Sequence, residues 1–260
     1  MSLNLRELFS ALECSQMPAV SETDLFGFDK DEPCFRQYEQ SDIDFAGAYF
    51  TKKLNLSLLN GQARELFEVS FSAFDIFLHA WLSELPVERE AIRYGKKIIA
   101  AAQSADTQEK KRKAADKIAA NRTDSDVLAV LNAAAKTGNE VHRMMGLLRF
   151  SPNEDGEFIA QCEPDHLILP CLGEYFTSRF GETSWSIIDI KRGLCLRRSS
   201  ESQAKTHIIN KISANRAETG DEWEQLWKHY HKTINNEERN NPNLQRQLMP
   251  RRYWKYLPEK

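Results

Sequence analysis

Glu140, His142 and Arg143 crowd about one helical turn, and Arg149 follows just past Gly146. A carboxylate and an imidazole can move a proton while guanidinium groups hold an anion, so this set suits acid–base chemistry on a charged ligand. The same residues also read as a structural ion pair. Glu140 and Arg143 are three apart on a helix and can meet on one face, with His142 left to solvent. A second cluster lies in Cys162-Glu-Pro-Asp-His166, where Glu163, Asp165 and His166 share a tight loop. Two acids and an imidazole can again transfer protons; an acid ahead of a helix is equally a plain N-cap.

The third cluster is the carboxy-terminal segment. Residues 239–260 hold six Lys/Arg and one acid, and residues 1–45 hold three Lys/Arg and ten acids, in a chain of 260 residues with formal net charge −3. Such asymmetry points to a polyanion-facing tail. Arg239, Arg246, Arg251 and Arg252 can neutralise phosphates, and Tyr253 and Trp254 can stack on unpaired bases. The competing reading folds Trp254, Tyr256 and Leu257 back onto the core and pairs the arginines with the acidic leader.

Other chemistry finds no foothold. The net charge excludes a globally basic nucleic-acid packer, so a nucleic-acid role has to sit in a local patch. Of six histidines, His229 and His231 are two apart and point to different sides of a helix. There is no His-x-x-x-His, no Cys-x-x-Cys, no phosphate-cradling glycine loop and no Gly-x-Ser-x-Gly elbow, so neither a metal nor a cofactor is implied. The five cysteines, odd in number, read as buried free thiols. The amino terminus lacks the basic-then-apolar order of a secretory signal. The most apolar stretch, 66–82, is too short to span a bilayer and carries Glu68, Asp75 and His79. The expectation is a soluble cytoplasmic protein with no membrane partner.

Positioning these clusters falls to helices first and strands second. Residues 1–60 read as an irregular acidic leader and 61–260 as one α+β domain, helical over 61–146, sheet-bearing over 147–200, and basic and helical over 221–260. Asn60-Gly61 opens a helix whose Leu66, Phe67, Phe71, Phe74, Phe77, Leu78 and Trp81 cover most of its circumference, which makes it central and buried. Pro86 separates it from a helix at 87–102, and the Lys- and Ala-rich stretch 103–121 reads as a solvated helix. Thr123 and Asp126 suggest a capping box for a helix with Val127, Leu131, Ala134, Gly138, Val141, Met145 and Leu148 in one apolar seam. Strands at 147–150 and 157–162 flank one turn, strands at 184–189 and 194–197 flank another, and a helix at 166–180 lies between them. Two adjacent hairpins predict a small antiparallel sheet of about four strands packed among helices. Asp221-x-x-Glu224 opens a helix with Trp223, Leu226, Trp227, Tyr230 and Ile234 on one face, and Asn241-Pro242 starts a short one.

Glu140-x-His-Arg143…Gly146-x-x-Arg-Phe150, Glu163-Pro164, Phe176-x-x-Arg-Phe180, Trp185-x-Ile-x-Asp189, Leu226-Trp227-x-x-Tyr230, Arg239-Asn-Asn-Pro242 and Met249-Pro-x-Arg-Tyr-Trp254 together resemble a bacterial domain family of unknown function. That family occurs in proteins assigned to DNA metabolism or repair, and the resemblance spans roughly residues 66–259. Its members tend to be encoded beside a DNA-modification or repair radical S-adenosylmethionine protein, and the domain also occurs fused to a uracil-DNA glycosylase-like domain. Nothing in this chain matches such a glycosylase domain, so that activity does not carry over. The resemblance implies DNA and a radical S-adenosylmethionine protein as partners and carries no catalytic assignment. Its motifs add Arg179 to a candidate pocket of Glu140, His142, Arg143, Arg149, Glu163, Asp165 and His166. The leading expectation is a DNA repair or modification accessory protein that binds DNA through the tail. The alternatives are an enzyme acting on DNA or nucleotides through the Glu140/His142/Arg143/His166 pocket, and a protein-only scaffold.

Overall fold

The computed structural model describes residues 3–13, 38–59, 61–153, 155–199, 204–208, 222–234 and 241–257, with the backbone alone at 222–224 and 231. Most of the leader, Arg239, Asp221, Cys14 and Cys34 lie outside these residues. The chain forms two compact units, Met1–Gly138 and Asn139–Lys260.

The first unit is helical. Helix α1 (Leu5–Glu13) begins at a reciprocal cap in which the Glu7 amide donates to Asn4 and the Asn4 amide donates to Glu7, both at 2.8 Å. Its Leu5, Leu8, Phe9 and Leu12 are buried. Helix α2 (Gln40–Phe50) supplies Ile43, Phe45, Ala46 and Tyr49 to the same core. Parts of the leader read as irregular are therefore helical, because apolar residues recur there every three or four positions. The single central helix expected after Gly61 is two, α3 (Gly61–Val69) and α4 (Phe71–Leu82). Ser70 divides them: its hydroxyl accepts from the Ala73 amide at 3.2 Å and caps α4. Phe74, Phe77 and Leu78 are fully buried, and Phe9 meets Phe74 and Phe77 with ring centroids 6.1 and 6.3 Å apart. Helices α5 (Glu88–Gln103) and α6 (Gln108–Ala119) follow, the latter buried only at Ala115 and Ala119.

Helix α7 (Ser125–Leu147) contributes to both units. Its cap is Asp124, whose carboxylate accepts from the amides of Asp126 and Val127, and not the expected Thr123. Its buried residues are Val127, Val130, Ala133, Thr137, Glu140, Val141 and Met144, and Leu148, just past its end, is buried as well. The seam is thus rotated from the one expected. Thr137 and Glu140 belong to it, and an apolar pattern alone reads both as surface.

The second unit is α+β. Strands β1 (Ser151–Pro152), β2 (Phe158–Cys162), β3 (Trp185–Asp189), β4 (Leu194–Arg198) and β5 (Lys205–Ile208) form a mixed sheet in sequential order. The expected hairpins are present, β1–β2 and β3–β4, although 147–150 is helix end and loop and the first strand starts at Ser151. Two features depart from an antiparallel four-stranded sheet. The pair β2–β3 is parallel, because helix α8 (Leu169–Phe180) joins them as a crossover, and β5 adds a fifth strand. One sheet face lies under α8, where Trp185 meets Phe176 with centroids 6.0 Å apart and Phe158 stacks on Phe180 at 5.6 Å. Helices α9 (Glu222–Ile234) and α10 (Pro242–Leu248) and a 3₁₀ segment, Arg251–Tyr256, complete the unit. Asn241 caps α10 as expected, accepting from the Leu244 amide at 3.0 Å. The expected apolar face of α9 stays exposed at Leu226, Trp227, Tyr230 and Ile234.

Candidate functional site

The site forms where β2 and β3 end. Their last paired residues are Cys162 and Asp189, and the Glu163–His166 loop leaves β2 toward α8. In sheets with parallel strands, ligands commonly lie beyond the carboxyl ends of those strands. Here the loop is fixed by charges of opposite sign acting on its backbone. The amides of Asp165 and His166 donate to Glu140 Oε1 at 2.9 Å and Oε2 at 2.8 Å. The carbonyls of Pro164 and Asp165 accept from Arg192 Nη1 at 3.0 Å and Nη2 at 2.8 Å. Arg192 is itself held by Asp189 at 2.8 Å, and its side chain is 1% exposed. A carboxylate satisfies two of the loop's donors and a guanidinium two of its acceptors, so these four backbone groups keep partners outside any regular element.

With its backbone fixed, the loop turns two acids outward, and the carboxy-terminal segment closes on them. Asp165 Oδ2 lies 2.6 Å from Arg252 Nη2, and Glu163 lies 2.7 Å from both Lys255 Nζ and the Tyr256 hydroxyl. Tyr253 donates its hydroxyl to Glu140 Oε1 and accepts from Arg252 at 3.0 Å. The Arg252 guanidinium also sits 4.7 Å from the Tyr253 ring centroid. Burial first, then the Glu140 carboxylate, pushes the Tyr253 phenol up; burial and Glu163 do the same to Tyr256. Burial opposes the charge on Arg252, but Tyr253, Asp165 and Glu140 outweigh it and raise its pKa. Lys255, then Tyr256, holds Glu163 below the usual carboxylate range.

The structure therefore brings together Glu140, Glu163, Asp165 and the backbone of His166, along with Arg252 and Tyr253. Glu140 is 2% exposed, and both of its oxygens accept hydrogen bonds. It makes no ion pair with Arg143, because its carboxylate turns to the loop and the tail. The arrangement suits holding the tail in place better than moving a proton. His142 and Arg179 are exposed on α7 and α8. Arg149 donates to the Gly146 carbonyl at 2.8 Å and lies 5.4 Å from the Trp227 ring centroid. Arg246 and Arg251 are exposed, and Trp254 is half-buried with its indole N–H on the Met249 carbonyl at 2.9 Å. Arg239 is outside the described residues.

Sequence reasoning missed Asp189 and Arg192 as site residues and left Lys255 and Tyr256 out of its candidate sets, although the competing reading folded Tyr256 onto the core. The only signal for the first two was an acid ending a strand and an arginine three residues on, in what looked like an ordinary hairpin turn. The tail does fold back, as the competing reading expected, but its cations meet Glu163 and Asp165. Among the described residues no group of three His, Cys, Asp or Glu side chains is placed to hold a metal ion, and no helix is long and apolar enough to cross a membrane.

Neither a curated protein nor a solved structure matches this chain. A family defined as a domain of unknown function, DUF4130, matches residues 98–259, which take in every residue of this site, and the chain belongs to that family.

Proposed function

We propose that the protein is a DNA-associated accessory protein of repair or modification, which contacts the phosphate backbone through the outer rim of its anchored carboxy-terminal segment. The observation behind this reading is the division among the tail's cations. All four are exposed, but Arg252 and Lys255 are ion-paired with Asp165 and Glu163, whereas the contacts of Arg246 and Arg251 lie within their own segment. The second pair is braced there. Arg246 donates to the Pro242 carbonyl at 3.1 Å, and the Arg251 guanidinium lies 5.7 Å from the Trp254 ring centroid. Held guanidinium groups lose less freedom on meeting a phosphate than loose ones. Tyr253 is buried, so base stacking by this segment falls to Trp254. A radical S-adenosylmethionine protein is the partner this reading takes from the family resemblance.

Salt titration of duplex DNA binding tests it. Each phosphate neutralised on a duplex contributes about −0.9 to the slope of log K against log salt, so Arg246 and Arg251 supply about −1.8 together. The double variant Arg246→Ala/Arg251→Ala should flatten the slope by that amount, and a slope equal to wild type sinks the assignment.

A further inference from the structure

The break between α3 and α4 leaves room beside it. Ser70, at the break, has extended backbone with φ −147° and ψ 99°, so the two helices do not run on as one rod. Its hydroxyl donates to Asp116 Oδ1 at 2.7 Å and so ties the break to α6. Helix α6 stops at Ala119, and the chain passes Arg122 before α7 begins at Ser125. The break, the end of α6 and Leu131 of α7 line an open cavity of about 660 Å³, and every residue lining it belongs to the first unit. Val69, Ser70 and Ala119, all buried, form part of its floor. Phe71 also lines it and is 58% exposed, with its ring fixed by Tyr49, stacked at 5.7 Å, and by Phe67, edge-on at 5.7 Å. Arg112 and Arg122 line the same cavity, and both are exposed. Arg112 Nε lies 3.8 Å from Asp116 Oδ2, too far for a hydrogen bond, and Arg122 has no ion-pair partner among the described residues.

We infer that this cavity binds a nucleoside monophosphate, with the phosphate on Arg112 and Arg122 and the base against Phe71. Its volume falls within the range of about 300–1,000 Å³ usual for small-molecule sites. The lining combines three chemistries, and a mononucleotide uses all of them. Guanidinium forks fit phosphate oxygens. A fixed aromatic ring gives a base something to stack on. The Asp116 carboxylate and the Ser72 hydroxyl, both in the lining, can take N–H and O–H donors of base and sugar. Glu68 lines the cavity too, but it is already paired with Arg64 at 2.8 Å, so the two arginines outnumber the remaining acid, Asp116. Inorganic phosphate would leave Phe71 unused, and a fatty acid would set its chain against Asp116. Exposed phenylalanines and unpaired arginines occur singly on many surfaces, and that ordinary reading predicts no ligand; here they line one cavity. The inference concerns a different unit from the tail and does not depend on the DNA reading.

Isothermal titration of the full chain with AMP, and separately with inorganic phosphate, tests it. AMP should bind one to one, and phosphate more weakly by about fivefold or more, since it lacks the stacked base. Arg122→Glu, a change at an exposed residue, should weaken AMP by about tenfold or more. Phe71→Leu keeps an apolar side chain but removes the ring, and should weaken AMP by about fivefold or more while leaving phosphate binding as it was. If Phe71→Leu loosens the unit through its contact with Tyr49, Arg122→Glu still decides the matter. Absence of AMP binding, phosphate as tight as AMP, or wild-type affinity in Arg122→Glu overturns the site. The tail variant Arg246→Ala/Arg251→Ala should bind AMP like wild type; a loss there equal to that of Arg122→Glu would place AMP on the tail and overturn the cavity. None of these results bears on the salt slope of duplex binding, so the two readings stand or fall separately.

Discussion

Glu140 gives the loop two hydrogen bonds and the tail a third, all from one buried carboxylate. Replacing it with Gln keeps the shape but swaps one oxygen for an NH₂ group, which then confronts an amide donor that it cannot accept from. Losing a hydrogen bond to a charged group costs about 1.5–3 kcal/mol, and a buried donor left unmade adds about 1–3 kcal/mol. Glu140→Gln should therefore destabilise the second unit by about 3 kcal/mol or more in denaturant unfolding. Tyr253→Phe, which removes one bond, should cost about 1.5–3 kcal/mol. A Gln variant as stable as wild type would show that the carboxylate does not hold the tail. The sequence marked Glu140, Glu163, Asp165 and Arg252 as chemically notable but not how they combine. Spacing on a helix pairs Glu140 with Arg143, whereas the pairing that forms joins residues far apart in the chain. Arg192 was hidden for the same reason, since nothing local says that a turn arginine will point inward.

Among the elements, those with local signals were legible and those that depend on distant pairing were not. Asn241-Pro242 announced α10, and glycines at positive φ, Gly156 and Gly193, mark the two hairpin turns. The parallel joint between β2 and β3 was implicit in a helix lying between strands, which a hairpin-by-hairpin reading overlooks. β5 was missed because four residues, Lys205–Ile208, are too few to establish an alternation. Helix α9 inverts the usual rule: its apolar residues keep to one face, yet Leu226 is 57% and Ile234 59% exposed. Amphipathic spacing shows that a face can be buried, not that it is. Leu226→Ser and Ile234→Ser should each change stability by less than about 0.5 kcal/mol. Phe176→Ala, under the sheet, should cost about 3–5 kcal/mol. Thermal melts of the three variants decide this, and a large loss from either serine would mean that the α9 face is covered.

At the scale of the whole molecule, one carboxyl of the second unit and one imidazole of the first respond to pH with opposite sign. In the second, Glu163 is held below its ordinary value by Lys255 and Tyr256. A carboxyl depressed in the folded state stabilises above its unfolded pKa of about 4.3, and that contribution is lost as pH falls through the lower folded value. In the first unit, burial opposes protonation of His79, but Asp75, 3.3 Å away, outweighs it and raises the pKa. An imidazole raised in the folded state stabilises fully below about pH 6.5, and that contribution disappears as pH rises through the folded value. Glu163→Gln should flatten the acid limb of stability against pH, and Asp75→Asn the limb that sets in above about pH 6.5. Unfolding curves across pH check both, and an unchanged limb in either variant removes that group from the account.

The bond between Tyr253 and Glu140 spans 113 positions of sequence. On the ribosome, at roughly 5–20 residues per second, Glu140 is therefore synthesised about 6–23 s before the hydroxyl that completes its coordination. Throughout that interval the nascent chain holds a carboxylate meant for the interior with one of its donors still missing. The second unit can reach its final packing only after synthesis has passed Tyr253.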